Sequence, residues 1–300
     1  YGYIPFTAVH YLIVNDTTLE GSELSNLPNT KYFGPLDATM IAKTGWTRDS
    51  GPGDSPEAAA YMKIGGNQLY DHLHNDMGSF QLYYKGMLMQ DLGAYRRTDN
   101  PQYYAHNIST ISHNSLIIYD PLEYYKVKEP KIILKDSATD EYYDINTGGQ
   151  RFISPLRTHS DLSKYNMDLY DRADVTAYGF GPDANAPDYS YISGDITKAY
   201  SDKARNAERS MMFMPTDIED APAVFMVMDK VTSENKYMDK KFLFQCVCEP
   251  EISGNAITVR RGTHDSRDIY EGEITSQVLL PENFRMEPVG GEGKQWYVNG

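Results

Sequence analysis

Apolar and polar residues alternate along this chain in short runs, and no long segment keeps the 3.6-residue period of an amphipathic helix. Residues 79–84 and 87–89 are two such runs separated by Lys85-Gly86, a spacing typical of a β-hairpin. Many short strands separated by turn residues favour a sandwich or a barrel, so we predict an all-β fold. The other predicted strands cover residues 40–44, 58–64, 113–119, 173–178, 210–214, 223–231, 241–248, 256–260, 275–280 and 295–298.

Residues 1–30 differ from the rest of the chain. A short apolar segment with mixed spacing is followed by Gly21, Ser22 and Pro28, which predicts a linker or the tail of a helical domain. The β-rich domain is then expected over residues 31–300, with a softer sub-boundary at 183–209. Because the chain starts without Met and its last predicted strand stands almost at its end, we expect it to be part of a longer protein.

Composition narrows the classes of partner. The net charge is −14, from 42 acidic and 28 basic residues, which disfavours nucleic acid because phosphate binding needs a dense basic face. No apolar run approaches the roughly 20 residues of a membrane helix, so no membrane span is predicted. The 25 tyrosines far outnumber the 2 tryptophans and 10 phenylalanines. Tyrosine favours strands and suits wet surfaces that hold sugars.

The two cysteines, Cys246 and Cys248, are two residues apart in a predicted strand. They would point to the same face of the sheet, and such a short loop rarely closes into a disulfide. We predict that both are plain core thiols.

Candidate chemistry is concentrated in three short segments. His72 and His74 form an H-x-H pair, Asp91 follows the predicted hairpin, and His113 is expected to open the neighbouring strand. Two imidazoles and a carboxylate from His74, Asp91 and His113 suit zinc, with one position left for water or another ligand. The alternative is that these are hydrogen-bonded histidines of the core.

The motifs around these residues resemble those of the heparinase II/III family of polysaccharide lyases. In that family an α/α toroid precedes a large antiparallel sandwich of stacked sheets with little helix. The resemblance extends over residues 36–300 and is most specific at 72–116. It is carried by His72-x-His74-x-Asp76-x-Gly78-Ser79-Phe80, by Asp91-x-Gly93 and by His113-Asn114-Ser115-Leu116.

The resemblance implies a metal centre and a substrate-facing histidine. His74, Asp91 and His113 match the family's ligands for one structural zinc ion. His72 matches the catalytic histidine that faces substrate, where it would help to neutralise the uronate carboxylate and so lower the pKa of the proton to be removed.

The resemblance also implies substrate contacts from residues 96–104. Tyr104 is expected to be the catalytic tyrosine of the sandwich and Tyr103 to bind substrate, although the two are hard to distinguish. Arg96 and Arg97 would meet acidic sugar groups. For these four residues the alternatives are ordinary packing of the tyrosines and solvated loop charges on the arginines.

The implied reaction is β-elimination on an acidic, glycosaminoglycan-like polysaccharide, in which a base removes the C5 proton of a uronic acid and the C4 oxygen leaves. The family takes its main catalytic tyrosine from the toroid, and this chain has no helical region of that size. We therefore expect the chain alone to be inactive and its partner to be an N-terminal toroid. A periplasmic or secreted location is implied, with the signal peptide outside this chain. The alternatives are a non-catalytic carbohydrate-binding or structural β-sandwich module and a cupin-like metal sandwich.

Overall fold

A computed structural model describes residues 16, 18–47, 55–68, 73–93, 103–128, 142–152, 166–262 and 270–291. Strands dominate these residues, and the pairs between them are antiparallel. The strands are β1 (Thr30–Tyr32), β2 (Thr39–Lys43), β3 (Ala58–Lys63), β4 (Phe80–Tyr84), β5 (Met87–Met89), β6 (Leu116–Tyr119), β7 (Tyr125–Lys128), β8 (Tyr142–Ile145), β9 (Asp174–Gly181), β10 (Tyr189–Asp195), β11 (Ala204–Pro215), β12 (Ala223–Ser233), β13 (Asp239–Phe242), β14 (Glu251–Ser253), β15 (Ala256–Arg260) and β16 (Glu273–Gln277).

Helical structure in the described part of the chain is limited to single turns. The α-helical turn α1 (Gly34–Asp37) has Pro35 in its first turn, where the missing N–H of proline costs no hydrogen bond. The other turns are a π-helical turn at Tyr103–Asn107 and 3-10 turns at Leu24–Asn26, Thr110–Ser112, Met167–Leu169 and Thr197–Ala199.

Two large sheets form the body of the molecule. The first sheet has five strands in the order β1-β2-β3-β4-β5, and the second has four in the order β12-β11-β10-β9. Because sequential strands are neighbours in both sheets, each is a meander of antiparallel pairs. The Lys85-Gly86 turn joins β4 to β5 as predicted, and both of its residues have positive φ.

The two sheets pack face to face over one apolar core. The period-two pattern of the strands puts alternate residues inside: Met40 and Met62 from the first sheet, and Ile192 and Met211 from the second, are fully buried. Phe80 of the first sheet contacts Phe225 of the second with ring centroids 5.0 Å apart. The prediction of an all-β, antiparallel sandwich is therefore confirmed.

Smaller sheets extend this sandwich. β6 pairs with β13, β7 pairs with β8, and β14-β15-β16 form a three-stranded sheet. The last of these is joined to the β4–β5 turn by a hydrogen bond from Gly272 N to Lys85 O, 3.1 Å long.

Two predicted strands are wrong in part. His113 does not open a strand: its N–H bonds back to Thr110 O, which holds residues 113–115 in a bend, and β6 begins at Leu116. The strand predicted at 241–248 ends at Phe242, because Leu243 N bonds Ser115 O and the chain leaves the ladder. The predictions also omit β1, β7, β8, β10 and β14. The strand predicted at 295–298 lies outside the described residues.

Because the strand ends before them, the two cysteines are less buried than the predicted core thiols would be. Cys246 and Cys248 are both half-buried, and neither forms a disulfide. Cys246 lies opposite Met89 in an isolated β-bridge, and burial raises the pKa of its thiol.

The remaining organisational predictions concern the start of the chain and the stretch 183–209. Residues 1–15 are outside the described part, and β1 begins at Thr30. The stretch 183–209 contains β10 and the start of β11, whose buried Ile192 and Ala207 belong to the common core. Among the described residues, none of the helical turns has the length and apolar character that crossing a membrane would need.

Candidate metal centre

Three loops bring His74, Asp91 and His113 together at one end of the sandwich. His74 precedes β4, Asp91 lies just after β5, and His113 follows the 3-10 turn Thr110–Ser112. Their candidate ligand atoms all lie within 4.8 Å of one another. The side chain of His113 is 1% exposed, that of His74 13% and that of Asp91 28%. The centre is thus closed on one side and reachable on the other.

The three ligand atoms form a nearly equilateral triangle. His74 Nδ1 is 3.1 Å from Asp91 Oδ2 and 2.9 Å from His113 Nε2. His113 Nε2 is 3.1 Å from Asp91 Oδ2. Ligand atoms around a tetrahedral ion with bonds of about 2.0–2.1 Å stand about 3.3 Å apart. A small outward movement of each side chain would therefore place one ion among the three atoms, and this buried group can hold a metal.

The outer contacts fix which nitrogen of His113 faces the centre. His113 Nδ1 lies 2.8 Å from the carbonyl oxygen of Ser109, which can only accept, so Nδ1 carries the proton. In the neutral ring the lone pair is therefore on Nε2, which is directed at His74 and Asp91. A ligand histidine that donates its other N–H to a backbone carbonyl is the usual arrangement at metal centres.

Asp91 is held in its ionised form. Burial would raise the pKa of this carboxyl, but the neighbouring His113 and His74 side chains and the Gly93 N–H keep the pKa well below its usual value. The Gly93 N–H donates to Asp91 Oδ1 at 2.7 Å, which leaves Oδ2 for the histidines. A carboxylate that stays ionised is the form that binds a cation.

Gly93 is required here for a close approach of two backbones. A Cβ at this position would lie 1.9 Å from the carbonyl oxygen of Asn107 and 2.7 Å from Ser112 Oγ. No side chain fits, so this glycine allows the Asp91 loop to pack directly against the segment that leads to His113.

Buried polar side chains hold the loop of His74 by hydrogen bonds to its backbone. Thr110 Oγ1 donates to Asn75 O at 2.7 Å, and Ser115 Oγ donates to Met77 O at 2.9 Å. Gln150 binds both backbone groups of Met77, accepting from N at 3.0 Å and donating to O at 2.7 Å. We call this set the polar layer; each of its members is at most 1% exposed: Thr110, Ser112, His113, Asn114, Ser115 and Gln150.

Arg209 on β11 ties the second sheet to the same loops. Its guanidinium pairs with both oxygens of Asp229 at 2.7 and 2.8 Å. Its Nη1 donates to Gly78 O at 2.5 Å and to Asn114 O at 2.9 Å. The loop of His74 and the loop of His113 are therefore held by one fully buried cation.

The tyrosine pair lies on the π-helical turn Tyr103–Asn107, whose last residue packs against Gly93 beside Asp91. Tyr103 is 6% exposed, whereas Tyr104 is half-buried, and the two rings meet edge to face at 4.9 Å. Tyr104 is thus the one with more surface to offer a ligand. On the same turn, burial lowers the pKa of His106.

Sequence reasoning overlooked several residues that hold this centre. Arg209 gave no local signal, because it is 131 residues from Gly78 in the chain. Asn114 and Gly93 belong to the motifs quoted above. Their positions next to the candidate ligands in the sequence could have indicated that they support the centre. His72, Arg96 and Arg97 lie outside the described residues.

Comparison with known proteins adds no family assignment, since no family model matches the chain and no curated protein matches it at a significant level.

Proposed function

We propose that this chain is the β-sandwich part of a polysaccharide lyase that cleaves uronic-acid-containing polysaccharides by β-elimination outside the cytoplasm, with one structural zinc ion. The observation that carries the proposal is the convergence of His74, Asp91 and His113 from three separate loops. The motif resemblance names the same three residues as the family's zinc ligands.

The donor set favours zinc over other ions. Calcium and magnesium prefer six or more oxygen ligands or several waters, whereas two imidazoles and one carboxylate suit zinc. Zinc, when bound, would supply a positive charge and a rigid link between the three loops. The carbonyl of Ser109 and the N–H of Gly93 already orient two of the ligands for it.

In the proposed reaction Tyr104 moves a proton at its phenol oxygen. It stands on the turn Tyr103–Asn107 and is half-buried, whereas Tyr103 is buried and meets its ring edge to face. An ordinary tyrosine has a pKa of about 10, so the site must lower that pKa for the phenol to act at neutral pH. We assign neutralisation of the uronate carboxylate to His72, binding of the acidic sugar groups to Arg96 and Arg97, and the main catalytic tyrosine to a helical toroid.

Metal content tests the centre directly. Purified chain is expected to hold one equivalent of zinc by elemental analysis, and chelation is expected to lower its melting temperature because the link between three loops is lost. His74→Ala should abolish both the zinc and the effect of the chelator. The matched control is His106→Ala, a nearby histidine outside the ligand set, which should keep its zinc. Zinc-free protein with an unchanged melting temperature after chelation would contradict the metal centre.

The lyase is tested by product formation. A polypeptide that carries this chain together with an α/α toroid is expected to raise ultraviolet absorbance on heparan sulfate, chondroitin sulfate or alginate, because β-elimination creates a conjugated double bond. This chain by itself should give little or no product. No rise with any such polymer would reject the lyase. Retention of the chain by a polysaccharide in affinity electrophoresis, without product from the longer polypeptide, would favour a binding module instead.

A further inference from the structure

A second cleft lies away from the metal centre and shares no residue with it. It encloses about 640 Å³ between the start of β7, the turn Met167–Leu169 and the loop that leads into β11. Three aromatic side chains line it, namely Tyr125, Phe152 and Tyr170, together with Arg151 and a rim of acidic residues. Its chemistry is therefore part aromatic and part charged.

Arg151 lines the cleft and has no carboxylate partner among the described residues. Arg172 is fully buried and touches Arg151: its Nη2 donates to Arg151 O at 2.7 Å and to Ala199 O at 3.1 Å. Among the described residues, Arg172 Nε and Nη1 have no acceptor, nor does the buried Nε of Arg151. Burial and the nearby charge of Arg151 lower the pKa of Arg172 to about 9. Unpartnered guanidinium N–H groups are uncommon in a folded protein.

The lysine of the cleft is already neutralised. Glu123 receives hydrogen bonds from Lys203, Ser201 and Tyr125, the last of them 2.9 Å long. Lys203 also donates to Gly149 O at 2.6 Å. Of the cations lining the cleft, Arg151 is therefore the one without an acidic partner among the described residues.

The rim limits which anion fits. Asp120, Asp202 and Glu234 surround the opening, so a phosphate dianion or sulfate would be repelled. The same carboxylates accept hydrogen bonds from hydroxyl groups, and the aromatic side chains offer an apolar surface to a sugar ring. Arg151 Nη2 donates to Leu169 O at 3.4 Å, and a neutral sugar would offer this guanidinium no charge partner. The features together select a ligand with a single carboxylate and several hydroxyls.

We propose that this cleft binds a sugar acid, with its carboxylate on Arg151 and its hydroxyls on Asp120 and Asp202. The aromatic side chains of Phe152 and Tyr170 contact the ring. This site is independent of the zinc centre and of the lyase reaction, since neither needs the residues named here.

Calorimetric titration of the full chain tests the proposal with sodium glucuronate, glucose and sodium acetate as probes. Glucuronate should bind at least about tenfold more tightly than glucose or acetate, because glucose lacks the carboxylate and acetate lacks the hydroxyl groups and the ring. Arg151→Gln should weaken glucuronate at least about tenfold. The matched control is Arg285→Gln, which removes an exposed arginine elsewhere and should leave binding unchanged.

Three results would overturn the proposal: no heat with glucuronate, equal affinity for acetate and glucuronate, or unchanged binding in Arg151→Gln. Arg151 is half-buried, so a melting curve checks that the variant folds, and Tyr125→Phe provides a second variant that keeps the aromatic ring. Tyr125→Phe should retain glucuronate binding within a few-fold. Glucuronate affinity should also survive chelation, which separates failure of this site from failure of the zinc centre.

Discussion

The apolar core between the two sheets and the polar layer under the metal centre are both buried, but different forces hold them. In the core, Met40, Met62 and Met211 pack without polar partners, and such contacts have little directional preference. In the polar layer, Thr110 and Gln150 each bond a particular backbone group of the His74 loop and its continuation. The core thus holds the sheets together, whereas the polar layer sets where the ligands stand.

Arg209→Met breaks the link between these two regions and should have the largest effect. We expect the free energy of unfolding to fall by about 3–5 kcal/mol, because Asp229 is left as an unpaired buried charge. Zinc affinity should fall as well, since Gly78 O and Asn114 O lose their donor. Urea denaturation and zinc titration measure the two effects. Arg205→Met, which removes an exposed ion pair on the same strand, should change the unfolding free energy by less than about 1 kcal/mol.

Met211→Ala tests the core alone. The side chain is fully buried, so its truncation should lower the free energy of unfolding by about 3 kcal/mol. Zinc per folded molecule should stay unchanged, because no hydrogen bond to the ligand loops is removed. The neighbouring Met212 points to the other face of β11 and is half-buried, so Met212→Ala serves as the control with a smaller loss. Loss of zinc in Met211→Ala would show that the core positions the ligands after all.

Lys63 gives a pH-dependent test of the link between β3 and the His74 loop. Burial would lower the pKa of Lys63, but its ion pair with Asp76, 2.7 Å long, outweighs burial and raises it. The folded-state pKa lies above the unfolded value, so the stabilisation is complete below about pH 10 and is lost as pH rises through the raised pKa. In urea denaturation, the difference between wild type and Lys63→Met should be about 1.5 kcal/mol at pH 8. It should shrink above pH ~10.5. A difference that stays constant with pH would contradict the ion pair.

Met228→Gln should have the smallest effect. This side chain is 66% exposed on the outer face of the second sheet, away from both buried regions. The unfolding free energy should change by less than about 0.5 kcal/mol, and zinc content should not change. A larger loss in urea denaturation would mean that this face is covered in the folded protein.

Local pattern predicted the strands well where one face is buried throughout. β3 and β12 alternate between deeply and less deeply placed residues along their whole length, and both were predicted nearly at their observed bounds. The pattern was less useful at Leu243–Cys248, where apolar residues continue but the ladder stops. There the hydrogen bonds of Leu243 and Gln245 to residues 114–115 determine the path of the backbone. Such long-range bonds cannot be predicted from the local pattern of apolar residues.

Strand period, turn chemistry and ligand type are local properties, so the all-β class, the hairpin at Lys85-Gly86 and the three residues of the candidate metal centre could be predicted from the chain alone. The folded structure was needed to show that His113 lies in a bend with Nε2 directed at the candidate centre, and that Arg209 holds both ligand loops. It alone revealed that buried N–H groups of Arg151 and Arg172 have no acceptor among the described residues. These features depend on contacts between residues far apart in the chain, and such contacts exist only once the sheets have packed.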